Sequence, residues 1–330
     1  MKPKILKLLK IIIVLLVIGL IFLIYKSYIH YFKSTQEHSE YIAEISDLFD
    51  NSPSHYYVHT NGSLVVLKDV KTYPAIEFDS NNIPMINFKG KIGKQYNPVT
   101  ISNYALENFE LFLGSKETRY YREFLNYANW LCDNQHEGRW FYNFENSDRH
   151  LKSGWISAMA QGLAISVLVR AWQLSHDDTY LNCANKSFEI LKIDNSIDGV
   201  SFCKDNLQWF EEYPDSENPT HVLNGHIWTL FGIWDYYRVT QDSSAHEIFK
   251  KGINALLVNL HKYDTGYWVL YDQGTRHLLS GTYMDLQIDQ LKVLYYLTGE
   301  NLFLEYAEKW EKYSRNFFIL PVLVFVRLFS

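Results

Sequence analysis

Residues 154–171 read GWISAMAQGLAISVLVRA. From Ile156 to about residue 175, apolar side chains recur at i, i+3, i+4 and i+7, the period of an amphipathic helix. Ala158, Ala160, Gly162 and Ala164 make this helix unusually thin, so a neighbouring backbone can approach closely. It reads as an inner, packed helix. Gln161 is the exception, a polar side chain among Ala and Gly. If buried it needs a partner, and it is a candidate for substrate binding.

The same period continues on both sides. It predicts helices over 101–113, 117–135, 156–175, 178–193, 222–239, 243–261, 282–298 and 301–314. Short loops group them into four hairpins. Between hairpins lie longer excursions carrying Gly and an aromatic strand: RWFYNF (139–144), GVSFCKD (199–205) and GYWVLYD (266–272). A helix–helix–excursion unit repeating about every 60 residues predicts a mainly α fold, an incomplete α/α toroid of four helical hairpins. Its excursions should gather at one mouth, where loops on a rigid scaffold carry function.

Toward the N-terminus the pattern changes. His55–Thr60 and Ser63–Leu67 read as strands joined by Asn61-Gly62, a two-residue hairpin signal, and Ile83–Phe88 reads as another. Further back, IIIVLLVIGLIFLIY (11–25) is an unbroken apolar run. With Leu8 and Leu9 it gives about 18 residues, enough for one membrane span. Lys2, Lys4, Lys7 and Lys10 precede it, which places the N-terminus in the cytoplasm and exports the rest, to a bacterial periplasm or cell surface. Tyr25, Tyr28, Tyr31 and Phe32 resemble an interfacial belt. A cleaved signal peptide is the competing reading, but no small-x-small cleavage site follows the run. The expected division is a basic stub (1–10), a transmembrane helix (11–28), a stalk (29–54), a small β region (55–100), the helical domain (101–316) and a hydrophobic tail (317–330). The tail, FFILPVLVFVRLF (317–329), is short for a span. It suits packing on the domain, a partner subunit or the membrane surface equally well.

Composition excludes some classes. The chain has 330 residues and a net charge of -6 spread without long runs, unlike the basic stripe of a nucleic-acid binder. Tyr 25, Phe 20 and Trp 9 make a heavy aromatic load, which suits sugar rings and core packing alike. Cys132, Cys183 and Cys203 lack C-x-x-C spacing. They read as buried small hydrophobes, with at most one disulfide among them. No H-x-x-x-H pair falls on an expected helix, so no metal is expected.

Three segments carry the chemistry, all at the expected mouth. The first is Trp209-Phe210-Glu211-Glu212-Tyr213-Pro214, followed by Val222-Leu223-Asn224-Gly225. Adjacent acids beside a tyrosine also suit a capped loop with solvated carboxylates. The second is Tyr267-Trp268-Val269-Leu270-Tyr271-Asp272, whose alternation places Tyr267, Val269 and Tyr271 on one strand face. The third is Thr282-Tyr283-Met284-Asp285, where Thr282 as N-cap and Asp285 as its N3 acid would form a capping box.

These segments carry a resemblance. GWISAMAQGLAISVLVRA (154–171), QWFEEYP (208–214), HVLNG (221–225) and YDTGYWVLYD (263–272) resemble the C-terminal catalytic region of the D-glucuronyl C5-epimerases, collinearly over about residues 95–314. Those enzymes convert glucuronate to iduronate residues in heparan-type glycans. The resemblance implies an α/α toroid joined to β structure, an acidic polysaccharide substrate, no cofactor and a homodimer. The family's Glu-Tyr pair falls on Glu212 and Tyr213, its Asn on Asn224, and two further tyrosines on Tyr271 and Tyr283. Tyr96-Asn97-Pro98 matches an aromatic-Pro element, and Trp209 is a candidate sugar contact. An Arg three residues after the tyrosine at 271 is replaced by Gly274, leaving Arg276 two positions on as the candidate counter-charge. Two family histidines are replaced by Met284 and Gln287.

Inversion at carbon 5 removes a proton alpha to a carboxylate on one face and returns one on the other. It therefore needs two groups and a stabilised enolate-like intermediate. Glu212 and Tyr283 are the expected pair, with Tyr213 and Tyr271 polarising the carboxylate or exchanging roles with them. The rivals are a polysaccharide lyase or hydrolase on a similar toroid and a catalytically silent glycan-binding protein of a capsule pathway.

Overall fold

The computed structural model describes residues 3–32, 76–88 and 90–329. Helix α1 spans Pro3–Phe32. A three-stranded antiparallel sheet follows, with β1 (Ile76–Phe78), β2 (Pro84–Phe88) and β3 (Gly93–Tyr96) in that order. The strands expected at 55–60 and 63–67, and most of the stalk, lie outside the described residues.

The helical domain begins at α2 (Pro98–Ser115). Asn97 caps it by accepting from the Val99 amide at 2.9 Å, and Pro98 fills the first helical position. It pairs with α3 (Thr118–Asp133). Then come α4 (Ala158–Ser175) with α5 (Asp178–Ile190). Between this hairpin and the next, β4 (Ser201–Lys204) pairs with β5 (Leu207–Phe210). Their turn, Asp205-Asn206, holds both residues at positive φ (52° and 61°), the twist a two-residue hairpin turn prefers. Next come α6 (Leu223–Thr240) with α7 (Ser243–Asn259), and α8 (Gly281–Thr298) with α9 (Asn301–Ser314). These helices run where the apolar period places them, to within a few residues. A last helix, α10 (Leu320–Phe329), packs along α1.

The helices form two layers. The first members of the hairpins, α2, α4, α6 and α8, are neighbours in one row, and α3, α5, α7 and α9 cover them from outside. The row explains the small residues of α4. A methyl group at Gly162 would stand 2.5 Å from Thr229 Cα, so the backbones of α4 and α6 touch. From Ala158 to Ala171 every residue of α4 is buried. Arg170 and Asp235 join the two helices by a buried ion pair at 2.6 Å. Elsewhere in the core Trp140, Trp228, Trp268 and Trp310 lie at or below 2% exposure. Each large side chain buried this way contributes roughly 1.5–3 kcal/mol.

Two expectations are corrected. Cys132 of α3 and Cys183 of α5 are not separate buried thiols but a disulfide, with Cα atoms 5.8 Å apart and 51 residues between them. Their helices meet in the outer layer, which spacing alone does not reveal. Cys203 is free and exposed. The stretch 267–271 is not an alternating strand either. Trp268, Val269 and Leu270 are all buried, held by isolated bridges at Asp264–Val269 and Leu270–Leu278.

Candidate active site

Three excursions meet at the N-terminal ends of the inner helices, linked hydrogen bond by hydrogen bond. The Tyr142 hydroxyl, before α4, donates to Asn97 Oδ1 at 3.3 Å. The first amide of α4, at Ala158, donates to the Glu211 carbonyl at 3.0 Å. The first amide of α6, at Leu223, donates to the Tyr271 carbonyl at 3.3 Å. The chemistry-bearing segments are thereby stitched into one rim.

Glu212 stands at the centre of this rim, 9% exposed. Gly225, in the first turn of α6, makes room for it. A methyl there would lie 2.5 Å from Glu212 Oε2. Oε1 accepts from the Tyr271 hydroxyl at 3.3 Å, while Oε2 accepts no hydrogen bond of normal geometry among the described residues. Burial raises the carboxyl from its ordinary 4.5 to about 7. Near neutral pH it can therefore hold or release a proton.

The adjacent acid is different. Glu211 is fully buried and turned onto His221, contacting both its ring Nδ1 and its backbone amide. His226 fixes the strand behind the pair. It stacks on Trp209 at 4.0 Å and accepts the Phe210 amide at Nδ1. Burial lowers its pKa to about 3, so it stays neutral and keeps that nitrogen free to accept.

Four tyrosines and a tryptophan surround Glu212. The Tyr271 and Tyr283 rings meet edge to face at 5.7 Å. Tyr142 stacks flat on Trp155 at 4.0 Å, and Trp155 tilts against Tyr213 at 5.8 Å. Tyr213, Tyr271 and Tyr283 are each partly exposed, so a ligand can reach them. Burial, with the Glu212 charge added, holds the Tyr213 phenol well above its usual range, and Arg149 opposes that rise. Asn224 is buried beside Gly225, and its Oδ1 has no hydrogen-bond partner among the described residues.

Arg149 was not singled out in the sequence. Its guanidinium lies 4.7 Å from the Tyr213 ring and 5.8 Å from the Tyr271 ring. It also donates to Asp272, which is fully buried, at 2.8 Å. The expected counter-charge, Arg276, instead sits exposed at positive φ in the turn that Asp272 closes through Thr275. The only sequence signal was Asp272 itself, an acid in an apolar segment that needed a cation.

Other candidates are placed elsewhere. Gln161 is fully buried and donates to the Gly138 carbonyl at 2.7 Å, securing the loop before α4. Trp209 is 4% exposed in the stack with His226. The Tyr96 hydroxyl donates to Asp79 at 2.7 Å, on the sheet. The N-cap of α8 is Ser280 rather than Thr282, so Asp285 lies two residues beyond the N3 position of a capping box.

A family profile described as the D-glucuronyl C5-epimerase C-terminus matches residues 133–312. An uncharacterized protein of Methanocaldococcus jannaschii is 33% identical over 177 residues, 52% of this chain and 57% of its own length. The D-glucuronyl C5-epimerase of Caenorhabditis elegans is 32% identical over 212 residues, 57% of this chain and 34% of its own. The chain thus spans between a third and somewhat over half of these relatives. Among solved structures, a UGL variant with the saccharide dGlcA-Glc-Rha-Glc aligns over 66% of this chain and 60% of its own, with a TM-score of 0.43 and 13% identity.

Proposed function

The chain belongs to the family defined by the D-glucuronyl C5-epimerase C-terminus, and from that premise we propose that it is a uronate epimerase, inverting carbon 5 of glucuronate residues within a polysaccharide. One observation carries the reading. A buried carboxyl, Glu212, poised near neutrality, shares a partly open rim with Tyr213, Tyr271 and Tyr283. Glu212 takes or gives the carbon-5 proton on one face of the sugar. Tyr283, beyond Tyr271, serves the other. The Arg149 charge and the amide ends of α6 and α8 stabilise the enolate-like intermediate formed between the two transfers. Asn224 offers its side-chain Nδ2–H as a donor to the substrate carboxylate.

The double-layered arc fits an incomplete α/α toroid whose rim forms a groove for the polymer. The apolar helix Ile11–Phe32 fits a membrane anchor, with the domain exported. The Cys132–Cys183 pair agrees with an oxidising compartment. A hydrolase would need two carboxylates across the scissile bond. Here Glu211 is committed to His221 and Asp272 to Arg149. A lyase shares the proton abstraction and differs in expelling the neighbouring substituent.

The test is incubation of the full chain with glucuronate polymers in deuterated water. Label at carbon 5 without chain cleavage supports the proposal. Unsaturated uronate products would show a lyase, and no label with any glucuronate polymer would leave a binding protein.

A further inference from the structure

Helix α1 changes character near its C-terminal end. Residues 11–22 are exposed apolar side chains. Ser27 and Tyr31, by contrast, are at most 5% exposed and packed into the domain. Helix α10 lies alongside, with Phe317 just before it against Phe32 at 4.9 Å and Arg327 on it donating to the Lys26 carbonyl at 3.4 Å.

What this end touches is the back of the candidate site. The Tyr31 and Phe32 rings meet Trp268 edge-on at 5.5 and 5.6 Å. Trp268 opens the segment that ends at Tyr271, and its indole donates to the Leu279 carbonyl at 2.8 Å, just ahead of α8. At the start of α8, Gly281 admits the helix end itself. A methyl there would stand 2.6 Å from the Tyr31 carbonyl. Gly281 is two residues before Tyr283. One short stretch of α1 therefore braces both tyrosine-bearing segments from behind.

We propose that Ser27–Phe32 is a positioning element of the active site, so that the functional protein keeps α1 attached instead of being released by cleavage behind it. Tyr31 acts through Trp268 and Gly281, not on the sugar. The activity readout below rests on the epimerase reading, and the exchange readout does not. Small displacements of positioned groups cost turnover steeply, whereas affinity set by the groove changes less.

The test uses the full chain in detergent or nanodiscs, with Tyr31→Ala, Tyr31→Phe and, as a control in the exposed run, Leu16→Ala. Amide hydrogen exchange is followed over 266–284, with α4 and α6 as internal references. Tyr31→Ala should speed exchange over 266–284, leave α4 and α6 protected, and lower kcat at least tenfold with little change in KM. Tyr31→Phe, which keeps the ring, should restore the wild-type pattern, and Leu16→Ala should match wild type. The mass of protein isolated from membranes should include residues 27–32. Unchanged exchange in Tyr31→Ala, a uniform loss of protection reaching α4 and α6, or a mature chain beginning after Phe32 would each overturn the proposal. If wild type labels no polymer, the epimerase reading fails while exchange and mass still decide this one.

Discussion

Arg149 and Asp272, 123 residues apart in sequence, form an ion pair at 2.8 Å in which the carboxylate is fully buried. The pair fixes the guanidinium over Tyr213 and Tyr271 and closes the turn after Tyr271. Breaking it from the arginine side strands a buried charge, at a cost of about 3–5 kcal/mol. Arg149→Gln should therefore lower the melting temperature and turnover together. Asp272→Asn in that background should recover part of the stability without the turnover. A double variant no more stable than Arg149→Gln would sink this account.

Glu212→Gln and Tyr283→Phe should each reduce carbon-5 label incorporation about 100-fold or more, the usual scale for a positioned acid or base. Tyr271→Phe should cost less, since its hydroxyl orients Glu212. Equal losses for all three would reassign Tyr271 as a proton-transfer group.

The raised pKa of Glu212 also predicts how stability depends on pH. Between about 4.5 and 7 the folded protein keeps a proton that the unfolded chain has released. The unfolded state binds fewer protons there, so this group's contribution to stability falls as pH rises through that window. Glu212→Gln should melt higher than wild type at pH 8, and the difference should vanish near pH 4. Parallel melting curves across that range would show a carboxyl that is not buried.

Gly225→Ala tests the seat of Glu212. The added methyl meets the carboxylate and its Cβ, at 2.5 and 2.8 Å, so Glu212 must move while α6 gains a better helix former. Turnover should drop at least tenfold with only a modest change in melting temperature. Full activity would place the reacting carboxyl elsewhere.

The Cys132–Cys183 disulfide predicts one reactive thiol, Cys203, in unreduced and unfolded protein. Reduction should cost about 2–4 kcal/mol of stability. Thiol labelling counted by mass checks it, and three labels without reductant would refute it.

The helices were legible because each is amphipathic or small-residue-rich and bounded by turn residues. Glu212, Tyr213, Tyr271 and Tyr283 were legible as motifs, and the fold brings them to one rim. Arg149 was not, because its partner lies in another excursion and no local pattern joins SDRH to YDQG. Gln161, Trp209 and Tyr96 drew attention for the residue types that bind sugars. Those same groups serve as well to hold a loop carbonyl, fill a stack or brace a sheet. Glu211 shows the converse, since only the fold separates this acid, turned onto His221, from Glu212 beside it, which faces the rim.

The close approach of Gly162 to Thr229 has a mechanical consequence. With backbones touching, α4 and α6 can neither slide nor roll past each other, so the Glu212 side of the rim is stiff. Helix α8 meets α6 far more sparingly and packs chiefly on α9. The site thus joins a side locked into the α4–α6 pair, bearing the carboxyl, to a side less tightly tied to that pair, bearing Tyr283. Under the epimerase proposal, accommodation of a bulkier or differently decorated sugar falls to that second side.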